Sequence, residues 1–513
     1  MKKIDFTDYN QAKKYILENK LNASKSRLQD GVITKFSDEG DALYCVKDNV
    51  VYTPDFKVCL GIELESTETD ISSIKIEDGT KVIAASAFES LLIKDVLLPK
   101  SIEILGDKAF KNSTIQNINL DDVINYGYEV FANTFIKEAV INKNATFKRI
   151  EITDTTTHGV FQNCTRLKSL TFGPQSVPKL FCFECVDLEN VNFSDNIKEI
   201  GEDAFALTYS LKKIDFKTNI DNVGLGKKSK KVKEGLVSKR IKKVIVSPKN
   251  LAEFPYGLLR INNAAFLNSG LEQIILPCSI ECIGTDAFRN CSELKHINIP
   301  VTDRPLYILD FAFAGTAIEE LVVPESVNLL GASFAMDCLN LKFLRIEAPI
   351  ESVPIRAAAN CPKLSEIVLS EHITKLDFEC FTKTAISRVD DQFKNIKRYF
   401  MSCFSDCSKL KFVHILKDVV VDVNAFGRCP NLDVVICESN CLKGNPFKNS
   451  NKNLLLIAPS IDKGTFASTN LTPKEINSDN IEKLLEYMSF KEIMKLPVKK
   501  EMTETILKSE PTK

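Results

Sequence analysis

The sequence predicts an α/β repeat, a solenoid of stacked rungs in which each rung carries one short strand plus a turn or short helix. Three observations predict it. A phased motif returns along most of the chain, a polar helix and a strand hairpin stand before its first copy, and an apolar helical face follows its last.

The motif is found by self-comparison. Ile197-Lys198-Glu199-Ile200-Gly201-Glu202-Asp203-Ala204-Phe205 returns as Ile280-Glu281-Cys282-Ile283-Gly284-Thr285-Asp286-Ala287-Phe288, and stands earlier as Ile102-Glu103-Ile104-Leu105-Gly106-Asp107-Lys108-Ala109-Phe110. Beyond the Phe the same phase continues through Cys291, Leu294, Ile297, Ile299 and Pro300. A shorter variant drops one residue at the turn, as between Phe266 and Leu271. Taking that Phe as the anchor, positions 88, 110, 131, 161, 182, 205, 235, 266, 288, 313, 335, 358, 381, 404, 426, 447 and 466 fall in phase, most of them roughly 21 to 25 residues apart. Position 235 is Gly, and Ile241, Val244 and Val246 supply the apolar pattern of a rung whose anchor has lost its ring, so the array reads as unbroken.

Within each unit the I-x-I ahead of Pro alternates like a strand, while the stretch from Gly to Cys has the spacing of a turn or one helical coil. One rung cannot bury its own apolar residues. Stacked at the strand spacing, about seventeen rungs make a body roughly 80 Å long with a continuous core.

The entry and exit elements complete the plan. Asp8 to Leu21 reads as a polar helix, and Leu43 to Tyr52 followed by Phe56 to Ile62 alternates like a hairpin that caps the first rung. At the far end Ile481, Leu484, Leu485, Met488 and Ile493 share one helical face before Pro497, as a helix closing the last rung requires. The expected divisions are a helix and hairpin cap over 1–73, a solenoid over 74–471 with a basic insertion at about 217–234, and a capping helix with a loose tail over 472–513.

The recurring I-G-x-x-A-F-x-N-C-x-x-L-x-x-I-x-I-P, seen without interruption from Ile283 to Pro300, resembles the BspA-like, or Treponema-type, leucine-rich repeat family. The resemblance covers about Ile74 to Leu471. It implies a leucine-rich-repeat solenoid and a role in adhesion or other protein contacts, with no particular partner.

Composition narrows the functional classes. With 513 residues, 44% hydrophobic and 26% charged, the chain can bury a large core. Its 67 basic and 68 acidic residues leave a net charge of −1, so no global field points to nucleic acid or membrane. The charged opening Met1-Lys2-Lys3-Ile4-Asp5 is not a Sec signal, and apolar runs such as Leu454 to Ile457 are too short to span a bilayer. A cytoplasmic protein is expected, with nonclassical surface display or a place on a virion as alternatives.

The 16 cysteines fit that reading. Cys164, Cys185, Cys291, Cys338, Cys361, Cys407 and Cys429 hold one phase of the repeat and predict a buried ladder. The CxxC of Cys182 and Cys185 then belongs to the core, since no second CxxC or paired His accompanies it. The histidines at 158, 296, 372 and 414 sit on different rungs beside no nucleophile, and no phosphate loop is present. No enzyme, cofactor or metal is expected.

Two features point to partners. Lys227, Lys228, Lys230, Lys231 and Lys233 form a basic run, read first as a solvated loop and second as a contact for an anionic partner such as nucleic acid or a glycan. The outward strand positions are the more informative feature. One row runs Gln273, His296, Glu320, Phe343, Glu366, Arg388, Phe412, Val434, and the other Ile275, Asn298, Val322, Arg345, Val368, Asp390, His414, Ile436. An apolar stripe interleaved with charges is the composition of a protein-binding face, unless another layer covers it. The predicted partner contacts are His296, Phe343, Arg345, Glu366, Val368, Arg388, Phe412, His414, Val434 and Ile436. The prediction is a non-catalytic binding scaffold for a protein ligand; the alternative is a structural part of a larger assembly such as a cell-surface layer or a phage particle.

Overall fold

The structure is a computed structural model that describes residues 4–63, 71–148, 159–217, 250–302, 304–458, 463–469, 471–493 and 495–496. The chain forms a β-solenoid of about 15 turns, against the seventeen expected. Its residues group into two compact units, Met1–Leu294 and Lys295–Lys513.

In the first unit each turn carries two strands rather than the single one predicted. The I-x-I segments make a parallel sheet through Glu138–Ile141, Ser169–Phe172, Asn190–Ser194, Lys213–Lys217, Leu251–Glu253 and Gln273–Ile275. The I-x-x-I segments make a second ladder of two-residue strands, including Glu199–Ile200, Arg260–Ile261 and Cys282–Ile283. Between them the backbone makes tight turns instead of a helix. Around Phe288 the turn places Asp286 at φ 57° and Asn290 at φ 56°, and the same two positions flank most anchors. Asn and Asp tolerate this left-handed backbone better than other non-glycine residues, which explains the polar residue recurring before the Cys. Here Asn163 also donates to Asn133, and Asn133 to Asn112, at 2.9 and 2.7 Å.

The anchors stack in the core. Phe88, Phe110, Phe131 and Phe161 lie ring on ring at 5.1, 5.4 and 5.1 Å. The cysteine ladder is present as predicted, and it has a hydrogen-bonding function. Each ladder thiol donates to the anchor carbonyl of the preceding rung, from Cys164 to Phe131 O at 3.0 Å and Cys291 to Phe266 O at 3.1 Å through Cys361 to Ala335 O at 3.3 Å. Other rungs place Ser or Thr in the slot, and Ser113, Thr134 and Thr208 donate to their own anchor carbonyl at 2.7 Å. Either chemistry satisfies an otherwise buried acceptor.

The predicted rung anchored at Gly235 is corrected on the anchor side. Phe205 N donates to Ala265 O at 2.8 Å, and the Phe205 and Phe266 rings stack at 5.5 Å, so these rungs are direct neighbours. Ile241, Val244 and Val246 themselves lie outside the described residues.

The helix Tyr9–Asn22 forms where the sequence places it, with Asp8 as N-cap accepting from Asn10 N and Gln11 N. The segment before it extends the turn ladder, because Ala85 N donates to Phe6 O and Asp107 N to Thr7 O. The hairpin follows as Ala42–Lys47, Val50–Tyr52 and Val58–Ile62, preceded by an unpredicted hairpin of Lys25–Gln29 with Val32–Phe36.

The second unit repeats the plan. Its I-x-I strands include Glu320–Val323, Phe343–Ile346, Glu366–Leu369, Arg388–Val389, Phe412–Ile415, Val434–Cys437 and Leu455–Ile457. The short strands Ser352–Val353, Lys375–Leu376, Arg398–Tyr399 and Val420–Val421 form the companion ladder. After the last rung come helices Ser478–Leu485 and Phe490–Ile493. They lie against the outward side of the I-x-I strands as far as the last one, because Ile481, Leu484 and Ile493 share one buried cluster with Phe412, Val434, Ile436, Leu455 and Ile457.

Candidate partner-binding face

Alternation along the I-x-I strands decides which side chains leave the core. In the second unit Leu344, Ile346 and Ile367 point inward and are buried, while their neighbours point out. Register aligns Glu320, Phe343 and Glu366 in one row, and Val322, Arg345 and Val368 in the other. The result is a checkerboard of two carboxylates around an aromatic ring, beside two aliphatic side chains around a guanidinium. Phe343, Val322 and Arg345 are half-buried, Glu320 and Glu366 are exposed, and Val368 is 38% exposed. Arg345 lies 5.6 Å from the Phe343 ring centroid and 3.5 Å from Glu347. Glu320 and Glu366 make no ion pair among the described residues.

Farther along the same rows the expectation of exposure fails. Phe412, Val434 and Ile436 are buried beneath the C-terminal helices. The Tyr487 ring stacks on Phe412 at 5.4 Å with the planes 8° apart, and its hydroxyl donates to Asp433 at 3.0 Å. Arg388 sits over the Phe412 ring at 5.2 Å, donates to the Tyr487 carbonyl at 2.9 Å and pairs with Asp390 at 2.6 Å. Lys483 pairs with Asp433 at 2.6 Å. His414 is half-buried and contacts Glu438 at 2.7 Å, in a cavity of about 150 Å³ that the helices roof with Met488, Glu492 and Leu496. The predicted contacts therefore divide. Phe343, Arg345, Glu366 and Val368 stand together on open rungs, whereas Arg388, Phe412, His414, Val434 and Ile436 are engaged by the chain's own helices. His296 is half-buried at the start of the unit, and burial holds its imidazole below the ordinary value.

A second surface escaped sequence reasoning. Just after the short strands, successive rungs place Ile355, Phe378 and Met401 outward, 46%, 39% and 40% exposed. Turn hydrogen bonds carry Arg356 N to Phe378 O and Glu379 N to Met401 O, so the three are stacked neighbours. Phe378 lies 5.5 Å from Phe400, whose ring carries the Arg398 guanidinium at 4.0 Å. Arg398 pairs with Asp422 at 2.9 Å, and Lys443 reaches the same carboxylate at 3.9 Å. Phe378, Met401, Arg398, Asp422 and Lys443 line an open groove of about 460 Å³ that reaches Gly444. The signal was readable in Ile355, Phe378, Met401 and Val423, which recur two residues after the last buried position of each short strand.

The remaining candidates are core or fall elsewhere. Cys182 and Cys185 are both buried. Burial pushes the Cys291, Cys338 and Cys407 thiols up to about 11, a setting that suppresses the reactive thiolate. Among the described residues, no group of three or more His, Cys, Asp or Glu side chains is placed to hold a metal ion. No helix of the described residues is long and apolar enough to cross a membrane. Lys227, Lys228, Lys230, Lys231 and Lys233 lie outside the described residues.

The sequence pattern of the BspA type Leucine rich repeat region (6 copies) matches residues 66–172, 147–227, 249–342 and 330–454. No curated protein sequence matches. Among solved structures, a leucine-rich repeat protein from Bacteroides ovatus superposes with a TM-score of 0.50 at 17% identity, covering 80% of this chain and 94% of that one. A leucine-rich repeat protein from Eubacterium ventriosum covers 86% and 99%, with a TM-score of 0.35 at 16% identity. A leucine-rich cell surface protein from Faecalibacterium prausnitzii covers 88% and 100%, with a TM-score of 0.36 at 16% identity. At these identities the first likeness shows the fold alone.

Proposed function

Because this chain belongs to the BspA-type leucine-rich repeat family, we propose that it is a non-catalytic scaffold that holds a protein ligand on the I-x-I strand face of its second unit. The observation that carries this reading is the open checkerboard of Phe343, Arg345, Glu366 and Val368 on rungs adjoining those the C-terminal helices occupy. An aromatic ring and a guanidinium on rigid neighbouring strands are the residue types that dominate protein interfaces, and they are already ordered before a partner arrives.

A crosslinking pull-down from cells that make the protein tests it, comparing wild type with Phe343→Asp and Phe378→Asp, each verified as folded. The reading expects one protein captured by wild type and by Phe378→Asp, and lost with Phe343→Asp. Capture by all three would overturn the assignment of the face.

The exposed row of Ile355, Phe378 and Met401 favours a second reading, a structural part of a larger assembly whose neighbour packs permanently on that groove. It expects the isolated chain to self-associate in sedimentation experiments, and Phe378→Asp to restore a monomer.

A further inference from the structure

The chain carries its own example of how this face is occupied. On rungs 388 to 457 the occupant is helical. Ile481 and Leu484 fill the apolar side, Lys483 reaches the Asp433 carboxylate just ahead of a strand, and in the turn between the two helices Tyr487 stacks its ring on the strand-borne Phe412 while its carbonyl accepts from the Arg388 guanidinium beside that ring. The three rungs before these present the same set of groups with nothing on them among the described residues. Phe343 is the strand-borne ring, Arg345 is the guanidinium 5.6 Å from it, Val322 and Val368 are the aliphatic flanks, and Glu320 and Glu366 are the carboxylates.

One difference selects the occupant. In the covered region Asp433 pairs with Lys483 and Asp390 with Arg388. In the open region Glu320 and Glu366 flank Phe343 from the two adjacent strands, and neither makes an ion pair among the described residues. Two unpaired carboxylates astride an apolar ring attract cations that arrive on an apolar stem.

Building on the binding-face reading, we propose that the open rungs receive a basic amphipathic helix of a partner protein. It seats an aromatic or aliphatic side chain on Phe343, offers a free backbone carbonyl from the turn that follows its last residues to Arg345, and places Lys or Arg at Glu320 and Glu366. This is helix recognition in which the groove is a strand ladder, with anchors spaced along one helical face.

The test uses the full chain and two labelled synthetic peptides of about 18 residues, long enough for five helical turns. Both carry the same Leu and Tyr face. One has lysines on the polar face and the other glutamates. Fluorescence anisotropy is expected to give saturable binding of the lysine peptide, weakened about tenfold or more by Glu320→Gln/Glu366→Gln and by added salt. Phe343→Asp should abolish binding, and Val140→Asp on the first unit should leave it unchanged. Absence of saturable binding, equal binding of the glutamate peptide, or indifference to the Glu→Gln pair would overturn the proposal. If a partner in the pull-down is lost with Phe343→Asp while the lysine peptide fails to bind, the helix inference falls and the binding face stands.

Discussion

Replacing Leu484 with Ala should release the C-terminal helices while leaving the solenoid folded. Leu484 is fully buried among Phe412, Val434 and Ile436, so the truncation removes apolar burial and opens a cavity, at a cost of about 2–5 kcal/mol. The helix Ser478–Leu485 has 8 residues and is too short to persist without its packing. The strands beneath it keep their own hydrogen bonds, such as Val434 N to Lys411 O at 3.1 Å and Phe412 N to Ser387 O at 3.3 Å. The loss should therefore stay local, as opening of the least stable segment. Native-state hydrogen exchange read by mass spectrometry is the assay. Amides of Ser478–Leu485 and Phe490–Ile493 should lose protection, those of Phe412–Ile415 and Val434–Cys437 should keep it, and a dye for exposed apolar surface should bind. Loss of protection in strands and helices together, or in neither, would refute the view of the helices as a separable cover.

Four further outcomes follow from the core. Phe266→Ala removes a buried ring stacked at 5.5 and 5.4 Å on Phe205 and Phe288 and should cost about 3–5 kcal/mol in urea unfolding, whereas Phe378→Ala should stay within about 0.5 kcal/mol. Gly284→Ala would bring a Cβ to 2.5 Å from the Asn262 carbonyl carbon in the neighbouring rung, and the forced separation should lower stability by about 1–3 kcal/mol in the same assay. Brief alkylation of the native protein should label Cys278 and Cys441 and spare the ladder thiols, as peptide mass mapping would reveal. The same ladder predicts alkaline sensitivity. Cys291, Cys338 and Cys407 hold their protons to about 11 in the folded chain against 9.0 ordinarily, so their contribution is complete below pH 9. It declines as pH rises from 9 to 11, by up to about 1.4 kcal/mol per pH unit for each thiol, measurable as a fall in the urea midpoint.

The repeat was legible because Phe, Cys, Leu and Ile recur in a fixed phase, and burial in a solenoid is a function of phase. The second strand was not, because two residues such as Glu199–Ile200 carry no alternation. The anchor read at Gly235 does not stand between Phe205 and Phe266, and nothing local announces that these two rings will stack directly. The outward rows were assigned correctly from alternation, yet alternation says only that a side chain leaves its own core. Phe412, Val434 and Ile436 needed a cover, and Ile481, Leu484 and Leu485 needed a surface. Matching the two demands would have found their contact. The row of Ile355, Phe378 and Met401 was not legible from alternation because its members lie in the turns just after the short strands.

The most direct test of the binding face is a photo-crosslinking amino acid installed at Val368, with parallel sites at Phe378 and at Val140, expressed in cells that make the protein. The account predicts a covalent adduct to one partner protein from position 368 and none from position 140. An adduct only from position 378, or equal adducts from all three, would contradict the placement of the binding face on the strands of the second unit.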